Sequence, residues 1–334
     1  MSGARVWRTT WISLLGVVVL LFAVALVVGR YPLPFREAIR LLFGFGDRNS
    51  LDAAILLRVR LPRALAAVMI GANLSGAGAV FQSSFQNPLV DSRILGIGSA
   101  AAFGAALGML VSASPATVHL LAFAFGVLAI VLVAAIGWRL GASKLVLVIV
   151  GVLISALFTS LLGLVKYVAD PLSTLPAITY WQLGSLSRVD WSAIPGLASV
   201  SVVGLGLFFA LRWRLNLLAL SDIEGESLGI HVRAERIALL LIGTALVAVS
   251  VATAGMIGWV GLIVPHIARL LVGSDHRRVV PVSLLIGAAL MLGLDAVART
   301  ANVAEIPLGV LTGVLGVPAF LVLFWTMIRK KGAV

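Results

Sequence analysis

The sequence predicts an all-α membrane protein in which about ten helices cross the bilayer. Hydrophobic residues make up 61% of the 334 residues and charged residues only 11%, and the mean hydropathy is +1.12. Uncharged intervals recur along the whole chain, and most of them match the roughly 20 residues that a helix needs to cross a bilayer. A chain this apolar cannot hide its surface in one core, so it uses lipid as its solvent.

The uncharged intervals define the helices in order. Two intervals are too long for one helix: 94–138 breaks near Ser112–Pro115, and 237–268 breaks near Gly255 and Gly258. The first interval follows basic residues but is long enough to span, so it predicts a retained first helix rather than a cleaved signal peptide. No soluble domain interrupts the series, and residues 1–334 are expected to form one transmembrane domain. The intervals are 9–29, 64–90, 94–138, 145–165, 191–211, 237–268, 279–294 and 306–328.

The basic residues predict the orientation of the chain. With ten helices both termini lie on one side, and that side carries 15 of the 25 Lys and Arg residues. The positive-inside rule therefore places both termini in the cytoplasm. Seven of the ten outer charges fall between Arg30 and Arg63, so this segment breaks the rule and requires an explanation.

Several function classes are excluded by the same composition. The net charge of +12 lies at the ends of apolar spans, where it meets lipid headgroups, so nucleic-acid binding is not expected. The chain has no cysteine and only four scattered histidines, which argues against a metal centre. No G-x-x-x-x-G-K-[ST] motif occurs, so the chain cannot cradle ATP phosphates itself.

Two rival classes need ionisable groups deep in the membrane. An ion-coupled secondary transporter uses several such groups at mid-depth, and an intramembrane enzyme needs a paired nucleophile and base or a metal constellation. The sequence offers neither. Asp295 lies near the end of its span and is expected to pair with Arg299, one turn further on.

Small residues and arginines mark two further features. Leu74–Gly78 is expected to serve helix packing, and the glycines at 255, 258 and 261 are expected to line one helix face that another backbone approaches. Arg60 and Arg63 flank a proline at a helix start on the outer side. They either anchor headgroups or recognise carboxylates on an outer partner.

A polar island, residues 212–236, stands between apolar spans on the cytoplasmic side. It holds four arginines and four acids, interleaved with leucines, in a chain that is otherwise poor in charge. This mixture predicts a short amphipathic surface that docks on something outside the membrane. The flanking Arg212, Arg214, Arg233 and Arg236 are expected to be headgroup anchors.

Five blocks in fixed order, spread over residues 60–325, carry a resemblance to a known family. They are RLPRALAAVMIGANLSGAG with QNPLVDSRILGIGSA, YWQLGSLS, LNLLALSDIEGESLGI, GMIGWVGLIVPHIARLLVGSDHRR, and LDAVAR with EIPLGVLTGVLGVPAFLVL. Together they resemble the permease family of bacterial importers for iron chelates and vitamin B12.

The resemblance implies a type II ABC importer permease with about ten transmembrane helices per subunit, in a bacterial or archaeal cytoplasmic membrane. It implies a homodimer, two cytoplasmic ATPase subunits and a periplasmic or lipid-anchored substrate-binding protein. ATP and Mg would be bound by the ATPase partner, and this chain would hold no cofactor or metal. The expected substrate is an iron chelate, either a ferric siderophore or haem. Vitamin B12 and molybdate-type oxyanions are the alternatives.

The resemblance also implies roles for individual residues. The ATPase-coupling residues are expected to be Leu215, Asn216, Leu218, Ala219, Leu220, Ser221, Asp222, Glu224, Glu226, Leu228 and Gly229. The arginines that receive acidic residues of the binding protein are expected to be Arg60, Arg63 and Arg299. The gate and pathway residues are expected to be Ala142, Ser143, Ser155, Thr159, Gly184 and Ser185, with a short helix near 180–187. Ser221 departs from the family's glycine, which removes conformational freedom from the turn.

Overall fold

The computed structural model describes residues 2–112, 114–141, 143–220, 222–229, 231–302 and 304–332, and over these residues it is helical without a strand. The helices are α1 (Ser2–Val27), α2 (Phe35–Leu42), α3 (Leu51–Ala53), a π-helical segment (Ala54–Arg60), α4 (Leu61–Ser84), α5 (Ile97–Val111), α6 (Pro115–Arg139), α7 (Lys144–Val168), α8 (Thr174–Gln182), α9 (Ile194–Leu211), α10 (Arg214–Leu218), α11 (Asp222–Ser227), α12 (Val232–Ala254), α13 (Val260–Val272), α14 (His276–Thr300) and α15 (Leu308–Gly332).

The predicted number of helices is confirmed within these residues. Seven helical runs are long and apolar enough to cross a membrane, and three shorter apolar helices accompany them. Both of the overlong intervals divide as expected. The first forms α5 and α6 on either side of residues 112–114, and the second forms α12 and α13 on either side of residues 255–259.

Helix α4 is the centre of the bundle, because nearly all of its side chains are buried. Glycines allow two neighbours to approach it closely. A Cβ on Gly71 would lie 2.2 Å from the carbonyl oxygen of Gly287 in α14, and one on Gly78 would lie 2.0 Å from that of Gly261 in α13. The predicted packing role of Leu74–Gly78 is therefore confirmed, since backbone-to-backbone contact requires residues without side chains.

The expectation of one helical glycine face at 255, 258 and 261 is wrong. Helix α12 ends at Ala254 and α13 begins at Val260, so the first two of these glycines lie between helices. Gly255 has φ +72°, and a Cβ there would lie 2.2 Å from the carbonyl oxygen of Trp181. The break is a tight chain crossing beside α8 that only glycine fits.

Candidate functional site

Most of the polar island folds into the two short helices α10 and α11, of which α10 packs against α4 and α11 packs against α10 and α12. Leu215 and Leu218 are 0% and 1% exposed. The carbonyl of Leu215 accepts a hydrogen bond from Ser83 Oγ at 2.8 Å, and that of Leu218 accepts one from Gln86 Nε2 at 3.1 Å. The two leucines were expected to face an ATPase. The structure corrects this, because they fasten the loop to the transmembrane helices.

Asn216 also forms hydrogen bonds within the protein. Its Nδ2 donates to Asp275 Oδ1 at 2.7 Å, and its Oδ1 accepts from the backbone N–H of His276 at 2.8 Å. These bonds join α10 to the start of α14. Asn216 is therefore a structural link, not a side chain presented to a partner.

The exposed part of the island is smaller than the sequence indicates and lies further along it. Leu220 is 38% exposed, Ile223 82% and Leu228 61%. The other predicted coupling residues on this surface, also exposed, are Ala219, Glu224, Glu226 and Gly229. Ser221 lies outside the described residues, as does Ile230 at the end of the predicted block. Ile223 is absent from the sequence-predicted set, although an isoleucine between two acids was the available signal.

Asp222 joins three elements of the structure. Its carboxylate lies 2.7 Å from Nη2 of Arg236 in α12 and 3.1 Å from Nζ of Lys144, the first residue of α7. The hydrogen bond from Arg236, assisted by Lys144, holds the pKa of the Asp222 carboxyl below its usual value. The carboxylate is therefore ionised at neutral pH, and the ion pairs persist there.

Arg236 was expected to be a headgroup anchor, and this expectation is wrong. The side chain is 1% exposed, and its Nε donates to the carbonyl of Ser84 at 2.9 Å. A guanidinium so deeply buried needs charge-paired and carbonyl partners, which Asp222 and the end of α4 supply. Arg214 likewise forms an ion pair, with Glu235.

The turn between α6 and α7 contains the predicted gate. The Ser143 hydroxyl accepts a hydrogen bond from the backbone N–H of Val146 at 3.3 Å, so this residue caps α7. Ala142 lies outside the described residues. The next residue, Lys144, is the one that reaches Asp222. The turn is thus tied to the polar island, a contact that sequence reasoning missed.

The predicted pathway residues fall into two groups. Ser155 is partly buried and its Oγ lies 2.8 Å from Ser99 Oγ in α5, whereas Thr159 is exposed on α7. Gly184 is buried with φ +72°, and Ser185 donates its backbone N–H to Ala254 at 2.7 Å. The second group therefore fixes the chain after α8 to the end of α12.

The short helix predicted near residues 180–187 is displaced toward the N-terminus. It runs from Thr174 to Gln182 and ends before Gly184, whose left-handed conformation starts the turn. The chain after this turn also holds α15, because Leu308 and Gly309 donate their backbone N–H groups to the carbonyls of Gly184 and Leu183.

The three arginines expected to receive a binding protein are buried at the end of the bundle where α1 and α14 finish. Arg60, Arg63 and Arg299 are 4%, 5% and 6% exposed. Nε of Arg63 donates to Oδ1 of Asp295 at 2.8 Å, and its Nη2 donates to Oε2 of Glu305 at 3.0 Å. Arg63 therefore already has two carboxylate partners within the chain, whereas its carboxylate partners were expected from the sequence to lie on the binding protein.

The other two arginines bind the end of α1. Arg60 donates to the carbonyl of Leu26 at 3.0 Å, and Arg299 donates to that of Ala25 at 2.8 Å. Arg299 Nε also lies 3.5 Å from Asp295, the partner that the i, i+4 spacing predicted. These contacts satisfy carbonyls at a helix end, where no intrahelical donor remains.

Comparisons with known proteins found matches that cover most of the chain. The model of the FecCD transport family matches residues 17–326. The molybdate import system permease protein of Haemophilus influenzae is 36% identical over 95% of this chain and 96% of its own length. A probable iron chelatin transport system permease protein of Helicobacter pylori is 40% identical over 87% of each chain. A solved structure described as an inward-facing metal-chelate type ABC transporter has a TM-score of 0.88 at 34% identity, covering 96% of this chain and 99% of that one.

Proposed function

Because the chain belongs to the FecCD transport family, we propose that it is the membrane-spanning subunit of an importer that carries an iron chelate into the cytoplasm. Its relatives include permease proteins for chelated iron and for molybdate. The chain is a permease subunit rather than an enzyme. In this proposal a separate ATPase partner binds ATP and Mg and supplies the energy, since the sequence has no phosphate-binding loop.

Energy reaches the permease through the exposed edge of the polar island. Leu220, Ile223 and Leu228 form the apolar contact with a groove on the ATPase, and the surrounding acids set its register. Movement of α11 then passes to α7 and α12 through the two ion pairs of Asp222. The buried leucines of α10 pass it to α4. Two chains related by a twofold axis would enclose the pathway, and the helices would alternate between outward and inward openings.

The observation that supports the substrate class is the surface of α7 and α8, which carries few charged groups. From residue 145 to 165 no charged residue occurs, and α8 contains none. The exposed side chains there are hydroxyls, aliphatic groups and aromatics, among them Thr159, Ser160 and Tyr180. Charged groups lie at the edge of this surface, where the Arg188 guanidinium is 5.4 Å from the Tyr180 ring. Such a surface suits a large chelate with an organic exterior, such as a ferric siderophore or haem. A bare oxyanion is recognised instead by fixed N–H and guanidinium donors.

A substrate-binding protein would dock at the end where Arg63 lies. Glu305 is the exchangeable partner of this arginine, because its side chain is 22% exposed whereas that of Asp295 is 2% exposed. An acid on the binding protein would therefore reach Arg63 by displacing Glu305. Asp295 would remain in place and keep the guanidinium from being left unpaired in the apolar interior.

Uptake by the reconstituted complex tests the proposal. The permease, its ATPase and its binding protein are placed in proteoliposomes and offered a radiolabelled ferric siderophore, haem, cobalamin and molybdate in turn. We expect ATP-dependent uptake of an iron chelate. Uptake of molybdate or cobalamin alone would move the proposal to the second candidate substrates, of which molybdate is favoured by the full-length Haemophilus relative. Uptake driven by an ion gradient without ATP would refute the importer mechanism itself.

A further inference from the structure

The segment between α1 and α3, residues 28–50, carries an exposed apolar stripe that no other part of the described chain covers. In α2, Phe35, Ile39 and Leu42 are 59%, 40% and 41% exposed. Their spacing of four and three residues places them on one helix face. Phe43 and Phe45 extend the stripe and are 72% and 76% exposed. Aromatic side chains this open to the surroundings indicate an apolar environment outside the protein.

The segment packs on the protein where α1 ends. Ala38 and Leu41, on a different face of α2, are each 2% exposed and pack on the protein, as does Leu33. The exit of the chain from α1 is fixed because Arg60 donates to carbonyls at the end of that helix. Helix α2 therefore packs on α1, α3 and the π-helical segment, and the end of a spanning helix such as α1 is where hydrocarbon meets headgroups in a bilayer.

Basic residues flank the stripe on the side away from the protein. Arg36 and Arg40 are exposed, and at 3.6 residues per turn they lie about a third of a turn from the apolar stripe. Arg40 also pairs with Glu37 at 3.3 Å while its side chain stays 55% exposed, so the guanidinium has room for a second partner. Arg48 is also exposed. The buried face, the apolar stripe and the arginines thus follow one another around α2. This order fits a helix that lies in a bilayer surface: its buried face contacts protein, its apolar stripe contacts acyl chains and its arginines contact phosphates.

We propose that residues 28–50 form an interfacial anchor that binds anionic phospholipid, with the apolar stripe among the acyl chains and Arg36 and Arg40 on the headgroup phosphates. Charge complementarity favours lipid as the occupant: residues 30–50 hold four arginines against Glu37 and Asp47. Continuity favours it as well, because exposed aliphatic residues of α1 lead directly to the stripe. The proposal also gives a reason for basic residues on the outer side. Arg60 and Arg63 have partners inside the protein, and Arg36 and Arg40 would bind lipid phosphates.

Lipid selectivity tests the arginines. The chain is placed in nanodiscs of mixed phosphatidylglycerol and phosphatidylcholine, and the lipids retained on release are counted by native mass spectrometry. We expect phosphatidylglycerol to be enriched on the wild-type chain. Arg36→Gln with Arg40→Gln should weaken its retention by about fivefold per arginine, the factor that corresponds to about 1 kcal/mol per basic side chain at an anionic surface. Equal enrichment in this double variant would overturn the proposal.

Two controls sharpen the measurement. Arg36→Lys with Arg40→Lys keeps the charge and should keep most of the enrichment, whereas Glu37→Gln removes the acid that pairs with Arg40 in the same helix and should not lower the enrichment. A photo-crosslinking phenylalanine analogue at position 43 reports the occupant directly. Lipid adducts support the anchor. Adducts to a second copy of the chain, or to an added binding protein, would replace lipid with a protein partner and overturn it.

Discussion

Replacing Ile223 with alanine should weaken binding of the ATPase without lowering the stability of the permease. The side chain is 82% exposed in the free chain. Truncation to alanine removes three carbons, each worth about 0.8 kcal/mol when buried. Burial of the exposed fraction under a partner therefore stabilises the complex by about 2 kcal/mol, and its loss should weaken binding about 30-fold.

The assay measures the affinity of the purified ATPase subunit for the permease in nanodiscs, together with substrate-stimulated ATP hydrolysis. Both should fall in Ile223→Ala. Ile12→Ala is the matched control, because Ile12 is 64% exposed but belongs to α1, remote in sequence from the polar island. This control should bind ATPase like the wild type.

Leu218→Ala separates docking from folding. Leu218 is 1% exposed, so its truncation leaves a cavity and should lower the free energy of unfolding by about 2–5 kcal/mol. Ile223→Ala should leave that free energy nearly unchanged. If Ile223→Ala binds the ATPase within twofold of the wild type, the exposed edge of the island is not the docking surface.

Five other substitutions test the internal contacts, each by its effect on the free energy of unfolding in detergent. Asp222→Asn should lower the free energy of unfolding by about 3 kcal/mol, because it leaves a buried guanidinium without a carboxylate. Lys144→Gln should lower it by under about 1 kcal/mol, because that lysine is partly exposed. Equal losses in the two variants would contradict this difference. Gly78→Ala should force α4 and α13 apart and destabilise the protein, while Gly206→Ala, whose Cβ would meet nothing within 4 Å, should have little effect. Unchanged stability of Gly78→Ala would show that α4 and α13 can separate at little cost in free energy. Arg63→Gln should lower the free energy of unfolding by about 3–5 kcal/mol, and a loss below 1 kcal/mol would indicate that its two carboxylates are satisfied in other ways.

Much of the fold could be predicted because lipid imposes simple rules. An apolar interval near 20 residues long is a helix, and an interval twice that length must turn. The turns before Pro115 and after Ala254 followed from these rules. The break near Gly255 and Gly258 was predicted correctly, but these glycines were also assigned to one helix face with Gly261, because a spacing of three residues matches a helix.

The polar island could be located from the sequence, but its exposed residues could not. The polar island is visible as charge within an apolar chain, yet Leu215 and Leu220 are indistinguishable by residue type. Leu215 is fully buried because it packs in a cluster with Val80, Phe208 and Leu239 from three other helices, whereas Leu220 lies beyond the end of α10 and is exposed. Local pattern carries no information on such a contact.

The sequence by itself determined that this chain is a membrane protein with about ten transmembrane helices and that it has no phosphate-binding loop for ATP. Those properties depend on composition and on motifs a few residues long. Only the tertiary structure decided which leucines and arginines face inward. Arg63 meets Asp295 across 232 residues of sequence, and Asp222 meets Lys144 across 78. The direction in which a charged side chain points is set by the partner that offsets its desolvation, and that partner is placed by the fold.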